Sequence, residues 1–305
     1  MKMRSAMRTI GYVSLGAGLA LAYALFGVAH PKPVLRSATA ATVVDVAAPR
    51  ALTADQHGWR PVWHADFSGS RPSWRQWQWF DGRLSQTNLA HYTADAANSY
   101  TRGGTLQIRA LRDRMGRWTS ARLQSRQKFR PPPNGSLKIT ADVLFPNAGH
   151  GYFPAVWMLG ANWNRVGWPR SGEFDLAETI GGSATVIGDL HCGSTTTGGP
   201  CHESRGLVRH VAIGGHRGWH HYVFVWNTHP ARITWSVDGR LQTLLTPADI
   251  GKATWRQTFN HPYNILANVA IGGIWPGPPD HTTRSGGTLS VRNLTVYTNR
   301  RGGTQ

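Results

Sequence analysis

Between residues 59 and 297 the chain shows no helical apolar stripe longer than a turn or two. It shows instead short runs in which apolar and polar residues alternate, separated by glycine, proline, asparagine and aspartate. A period of two is the signature of strands with one buried face, and many short strands between turn signals mark a sandwich or barrel. Glycine (35) and proline (18) follow no short period, so a collagen-like chain is excluded. Charged residues are 16%, too few for a coiled coil or a charge-driven disordered chain, while 40% apolar residues suffice for a core. An all-β domain of about 250 residues can be a single unit.

Several runs can be read face by face, because strand side chains alternate. Ile233, Trp235 and Val237 share a face, and Asp238-Gly239 then supplies a hairpin turn. In residues 221–226 both faces are apolar, which predicts a strand buried on both sides. From residue 263 to 272, Ile265, Ala267, Val269 and Ile271 form a core face; Asn264, Leu266, Asn268 and Ala270 form the other, whose two amides suit a groove.

Only three glutamates occur in the whole chain, Glu173, Glu178 and Glu203, and two of them fall in Gly172-Glu173-Phe174-Asp175-Leu176-Ala177-Glu178. Glu173 and Asp175 share a strand face, with Phe174 and Leu176 on the other. Strict alternation would send Glu178 into the core unpaired, at a cost of several kcal/mol. A β-bulge at Leu176-Ala177 resets the phase and returns Glu178 to the face of Glu173 and Asp175. Three adjacent carboxyls cannot all ionise cheaply, so at least one pKa rises. One ionised and one protonated carboxyl are what retaining glycosidic cleavage requires. A solvated acidic face and a calcium site are the other uses of such a cluster.

The chain holds 14 tryptophans. Most belong in a core, but Trp157 and Trp168 lie close in sequence to the carboxylates and Trp275 sits in a Gly/Pro-rich loop. Flat indole faces suit the C–H faces of sugar rings.

The amino-terminal region reads as an export element. Lys2, Arg4 and Arg8 precede an uncharged, largely apolar stretch at residues 10–29. Its length lies between a secretory core and a membrane span, so residues 1–29 are a signal peptide or a signal anchor, and both place the rest outside the cytoplasm. Residues 30–55 read as a linker, 56–300 as the catalytic domain and 301–305 as a tail. Cys192 and Cys201 are the only cysteines, and in an exported chain they are expected to be bridged. They lack the partners of a zinc site, and no metal ligand set is assigned.

At this point the residues resemble a known family. Residues 172–178 look like the E-x-D-x-x-E signature of family-16 glycoside hydrolases, laminarinase-like branch. Pro154-Ala155-Val156-Trp157-Met158-Leu159-Gly160 is similar to the family's P-A-x-W-M-L-G. Asn268-Val269-Ala270-Ile271-Gly272-Gly273-Ile274-Trp275-Pro276-Gly277 resembles its N-x-A-x-G-G-x-W-P-G. Ala65-Asp66-Phe67-Ser68-Gly69 resembles the opening D-E-F-x-G but lacks its glutamate. Residues 134–142 depart from the Y-G-x-x-E-x-R pattern, a departure that would fall on the groove floor.

The resemblance implies a two-sheet β-jelly-roll sandwich, concanavalin A-like, with a glycan cleft on the concave sheet. It implies a retaining endo-β-1,3-glucanase with Glu173 as nucleophile, Glu178 as acid/base and Asp175 assisting both. His191 falls where the family often has a cleft histidine; a loop histidine held by the neighbouring disulfide is the other reading. Trp157, Trp168, His191, Asn268 and Trp275 are the expected substrate-binding residues. No cofactor is required, and a structural calcium ion is left open because the sequence does not give its ligands. The net charge of +18 would favour an anionic glycan by long-range attraction, and this keeps an anionic or mixed-linkage polysaccharide open as an alternative substrate. A non-catalytic glucan-binding protein is a further alternative, which the retained carboxylates oppose. No nucleic-acid motif is present. A monomer acting on a polysaccharide is expected, with membrane anchoring through residues 10–29 if that segment is kept.

Overall fold

The computed structural model describes residues 57–194, 199–202, 206–213 and 218–300. The expected signal or anchor (1–29), the linker (30–55) and the tail (301–305) lie outside the described residues. Among these residues no helix is long and apolar enough to cross a membrane.

In chain order the elements are β1 (Arg60–His64), β2 (Trp77–Trp79), β3 (Ala90–Tyr92), β4 (Ser99–Arg102), β5 (Thr105–Arg109), β6 (Leu111–Arg112), β7 (Trp118–Ser120), β8 (Arg122–Ser125), β9 (Ser136–Leu144), β10 (Tyr152–Gly160), α1 (Trp163–Val166), β11 (Glu173–Glu178), β12 (Thr185–His191), β13 (Arg209–Ala212), β14 (His220–Thr228), β15 (Ala231–Val237), β16 (Arg240–Leu245), α2 (Pro247–Ile250), α3 (Lys252–Phe259), β17 (Tyr263–Ile271) and β18 (Thr288–Asn299). One sheet runs β16-β15-β14-β9-β18-β5-β4, with β1 also on β18; the other runs β13-β12-β11-β10-β17-β8-β2. A small sheet, β3-β7-β6, stands apart from both. Pairing within the two large sheets is antiparallel throughout. The longest described helix, α3, has eight residues. The molecule is the two-sheet sandwich that the alternation predicts.

The core lies between the large sheets. Phe174 of β11 meets Phe224 of β14 with ring centroids 4.4 Å apart. Ile233, Trp235 and Val237 of β15 and Ile265, Ala267, Val269 and Ile271 of β17 all face this core. Asp238 and Gly239 join β15 to β16 with φ of 49° and 75°. Positive φ at both central positions is the type I′ requirement, which glycine meets without strain.

Two expectations are corrected. The strand at residues 221–226 is buried throughout on one face only: Tyr222, Phe224 and Trp226 enter the core there, while on the other face Val225 is buried outside that core, Val223 is half-buried and His221 is exposed. The apolar second face is a central-strand feature that the sheet's outer side does not fully cover. Residues 134–142 do not floor the groove. They lead into and form most of β9, the partner of β14 and β18 in the eight-stranded sheet. Leu137, Ile139 and Ala141 face the core, and Lys138, Thr140 and Asp142 face away from it. Alternation assigns faces but not sheet membership, which depends on distant partners.

Candidate active site

The bulge appears where the carboxylates require it. Along β10, Val156 pairs with Ala177 and Trp157 with Asp175, leaving Leu176 unopposed. Along β12, Asp189 pairs with Asp175 and Ile187 with Glu178, so Leu176 and Ala177 together oppose Gly188 alone. Phe174, Leu176 and Ala177 all enter the core. Glu173, Asp175 and Glu178 therefore share the outer face of the seven-stranded sheet, an arrangement that strict alternation forbids and the extra residue permits.

Asp175 is the common member of two tight groups. One polar atom from each of Glu173, Asp175 and His191 lies within 4.8 Å of the others, and the same holds for Asp175, Glu178 and Asp189. Asp189 is a fourth acidic group that sequence reasoning missed. Its signal was available: residues 187, 189 and 191 alternate with core residues, which places Asp189 beside His191. His191 Nε2 lies 3.2 Å from Asp189 Oδ2 and 3.7 Å from Asp175 Oδ2. These two groups are also the sets of described residues whose spacing would fit a cation.

The environments of the carboxyls differ. Burial pushes the Glu173 pKa up, but His191, Arg122 and a hydrogen bond from Trp168 all pull it back. Asp175 is held well above the usual carboxylate range by burial and then by Glu178, Glu173 and Asp189. Glu178 is likewise held well above it, by burial and then by Asp189 and Glu173, with no opposing group. Burial pushes Asp189 up to about 7, with His191 opposing. Glu173 is thus the carboxyl with cationic and hydrogen-bonding support, while Glu178 is the one whose surroundings retain a proton.

The sheet face around them is apolar and aromatic. Ala155, Trp157, Leu159 and Leu266 form a cluster separate from the main core, with Trp163 and Trp168 packed against it. Trp157 is 9% exposed, its Nε1 donates to Asn268 Oδ1 at 2.8 Å, and the Arg122 guanidinium lies 4.6 Å from the ring centroid. The Trp168 ring sits 5.2 Å from that of His191. Trp275, 45% exposed, stands edge-on to Phe153 at 5.1 Å, beyond the Glu178 end of the carboxylate row. All five expected substrate-binding residues lie on or beside this face. Arg122 and Trp163 join them without having been singled out beforehand. Cys192 and Cys201 are bridged, with Cα atoms 5.3 Å apart, and the bridge begins one residue after His191.

The profile of glycosyl hydrolases family 16 matches residues 84–294. The chain belongs to this family. It is 31% identical over 238 residues to the beta-glucanase of Rhodothermus marinus, covering 72% of this chain and 78% of that protein. It is 26% identical over 254 residues to glucan endo-1,3-beta-glucosidase A1 of Niallia circulans, where the match covers 72% of this chain but only 35% of the relative. Among solved structures, an endo-1,3-beta-glucanase from Streptomyces sioyaensis superposes with a TM-score of 0.75 at 32% identity, covering 81% of this chain and 99% of that one. The chain is a glycoside hydrolase with the jelly-roll sandwich of this family.

Proposed function

We propose that the protein is a retaining endo-β-1,3-glucanase in which Glu173 is the nucleophile and Glu178 the acid/base. The observation that carries this reading is the asymmetry between the two glutamates. Glu173 has Trp168, His191 and Arg122 to favour its ionised form, and Glu178 has only burial and neighbouring acids, which favour its protonated form. Two carboxyls with divided environments are what double displacement needs: one attacks the anomeric carbon while the other protonates the departing oxygen. After the glycosyl-enzyme forms, Glu178 is deprotonated and can take a proton from the incoming water. Asp175, near both groups, holds the proton balance between them. The relatives named above support β-1,3-glucan as the substrate class.

The test is stereochemical. Wild-type enzyme acting on laminarin should first release product of retained anomeric configuration, and inverted product would reject the mechanism. Glu173→Ala should be nearly inert, with azide restoring turnover and giving inverted product. Glu178→Ala should fail on laminarin yet still be glycosylated by substrates whose leaving group needs no proton. A digest of laminarin, lichenan and a sulfated galactan decides the substrate. The Arg122 guanidinium on the cleft face favours the anionic glycan as the second reading.

The catalytic domain is read as residues 56–300, exported as a monomer by residues 1–29; the Cys192–Cys201 bridge supports an oxidising compartment. No cofactor takes part, so exhaustive chelation should leave turnover unchanged. A chelation-sensitive melting temperature with turnover otherwise intact would mark a structural calcium ion.

A further inference from the structure

The inserted residue of a bulge leaves the ladder locally broken. Here it is Leu176, whose side chain is 1% exposed. A buried carbonyl left without a donor costs about 1–3 kcal/mol. A donor for this one reaches across from the opposite sheet: Trp235 Nε1 donates to the Leu176 carbonyl oxygen at 2.9 Å. Trp235 is fully buried and belongs to β15, on the far side of the core from the carboxylates.

The indole is also fitted to the strand beside the bulge. Gly188 is the single β12 residue opposed to Leu176 and Ala177. A Cβ at Gly188 would stand 2.7 Å from three atoms of the Trp235 ring. The ring therefore occupies the space that the missing side chain leaves, directly beneath the bulge, while its N–H holds the bulge carbonyl. Residues on either side of these contacts, Asp175 and Glu178 on β11 and Ile187 and Asp189 on β12, point out of the sheet on the carboxylate face.

We infer that Trp235, seated on Gly188, is a positioning residue for Glu178: it fixes the bulge that turns this carboxyl toward the substrate. It touches neither substrate nor reacting atoms. The inference rests on the reading of Glu178 as acid/base. With the N–H removed, the Leu176 carbonyl loses the bond that holds it toward the core, and the peptide planes that set the direction of Glu178 shift with it. A misplaced acid/base fails selectively. It harms the departure of poor leaving groups and the activation of water, but not attack by Glu173 on an activated substrate.

The test replaces Trp235 in two ways, by 3-benzothienylalanine, which keeps the ring volume and removes the N–H, and by W235F, and displaces it in a third, through G188A, which drives a Cβ into the ring. Turnover is measured on laminarin and on aryl β-laminaribiosides of graded leaving-group acidity, with and without azide, beside Glu178→Ala. In the folded variants, kcat/KM on laminarin should fall about 10–100-fold, as expected for an acid/base displaced by a fraction of an ångström to an ångström. The loss should shrink as the leaving group improves, and azide should raise turnover on the best one. A loss equal for every leaving group, or no loss in the benzothienyl variant, overturns the inference. If Glu178→Ala itself keeps near-normal laminarin activity, the acid/base reading fails instead, and the two failures are distinguishable.

Discussion

Asp189 Oδ2 lies 3.2 Å from His191 Nε2, and both side chains are nearly buried. The carboxyl is the edge of an acidic group that already holds Asp175 and Glu178. Burial outweighs the help of the imidazole and lifts its pKa from 3.8 to about 7. A carboxyl with a folded-state pKa above its unfolded one binds its proton more tightly when folded. Its contribution to stability is fully present below about pH 4 and is lost as pH rises toward 7. Asp189→Asn removes that loss. The variant should melt above wild type at pH 8 and converge with it near pH 4. The ceiling on the gain at pH 8 is about 4 kcal/mol, from a shift of roughly three pKa units. Thermal melts at both pH values check this, and a gain that is the same at pH 4 and pH 8 would reject it.

Trp168 is tied to Glu173 by a hydrogen bond that favours the charged carboxylate. Trp168→Phe keeps a flat ring against His191 and removes the donor. The Glu173 pKa should rise by about one unit, the size expected for a hydrogen bond to a charged group. If Glu173 is the nucleophile, the acid limb of the kcat/KM profile should move to higher pH by that amount while the alkaline limb stays. A rise in KM with both limbs fixed would make Trp168 a sugar platform alone.

The Cys192–Cys201 bridge joins two positions nine apart in the chain, immediately after His191. Thiol labelling of denatured, unreduced protein should find no free sulfhydryl. Replacing both cysteines by alanine should cost about 2–3 kcal/mol, or about 5–10 °C in melting temperature for a domain of this size. Because Cys192 is packed in the core and His191 faces the carboxylates, turnover should also fall in the still-folded variant. Unchanged turnover would mean that strand pairing of His191 with Glu173 suffices to hold the imidazole.

The fold class was legible because alternation is local, and the bulge because Glu178 could reach its partners in no other way. The identity of the core face in β15 and β17 followed from the same period. What stayed hidden depends on register between strands far apart in sequence. Local alternation puts Asp189 on the face of His191, but its place opposite Asp175 comes from the β11–β12 register, which residues 185–191 alone do not give. Arg122 reaches Trp157 because β8 is the second neighbour of β10 through β17. The Trp235 bond crosses the core from the other sheet, and residues 134–142 were assigned to the wrong sheet for the same reason.

Arg122 offers a way to separate field from contact at this site. Its guanidinium covers the Trp157 ring at 4.6 Å, and its charge lowers the Glu173 pKa across the sheet. Replacement by methionine keeps an unbranched chain over the indole and deletes the charge. The Glu173 pKa should rise, so the acid limb of the laminarin profile should move to higher pH, in the same direction as for Trp168→Phe. The two causes differ in their response to salt. A through-space charge effect weakens, to the extent that solvent reaches the pair, once the Debye length falls from about 10 Å at 0.1 M to about 3 Å at 1 M, whereas a direct hydrogen bond does not. The displacement caused by Arg122→Met should therefore shrink at 1 M salt, because the wild-type limb itself moves up, while that of Trp168→Phe persists. If Arg122→Met instead leaves the profile fixed and abolishes turnover of a sulfated galactan alone, the guanidinium is a contact for an anionic sugar, and the substrate class proposed above is wrong.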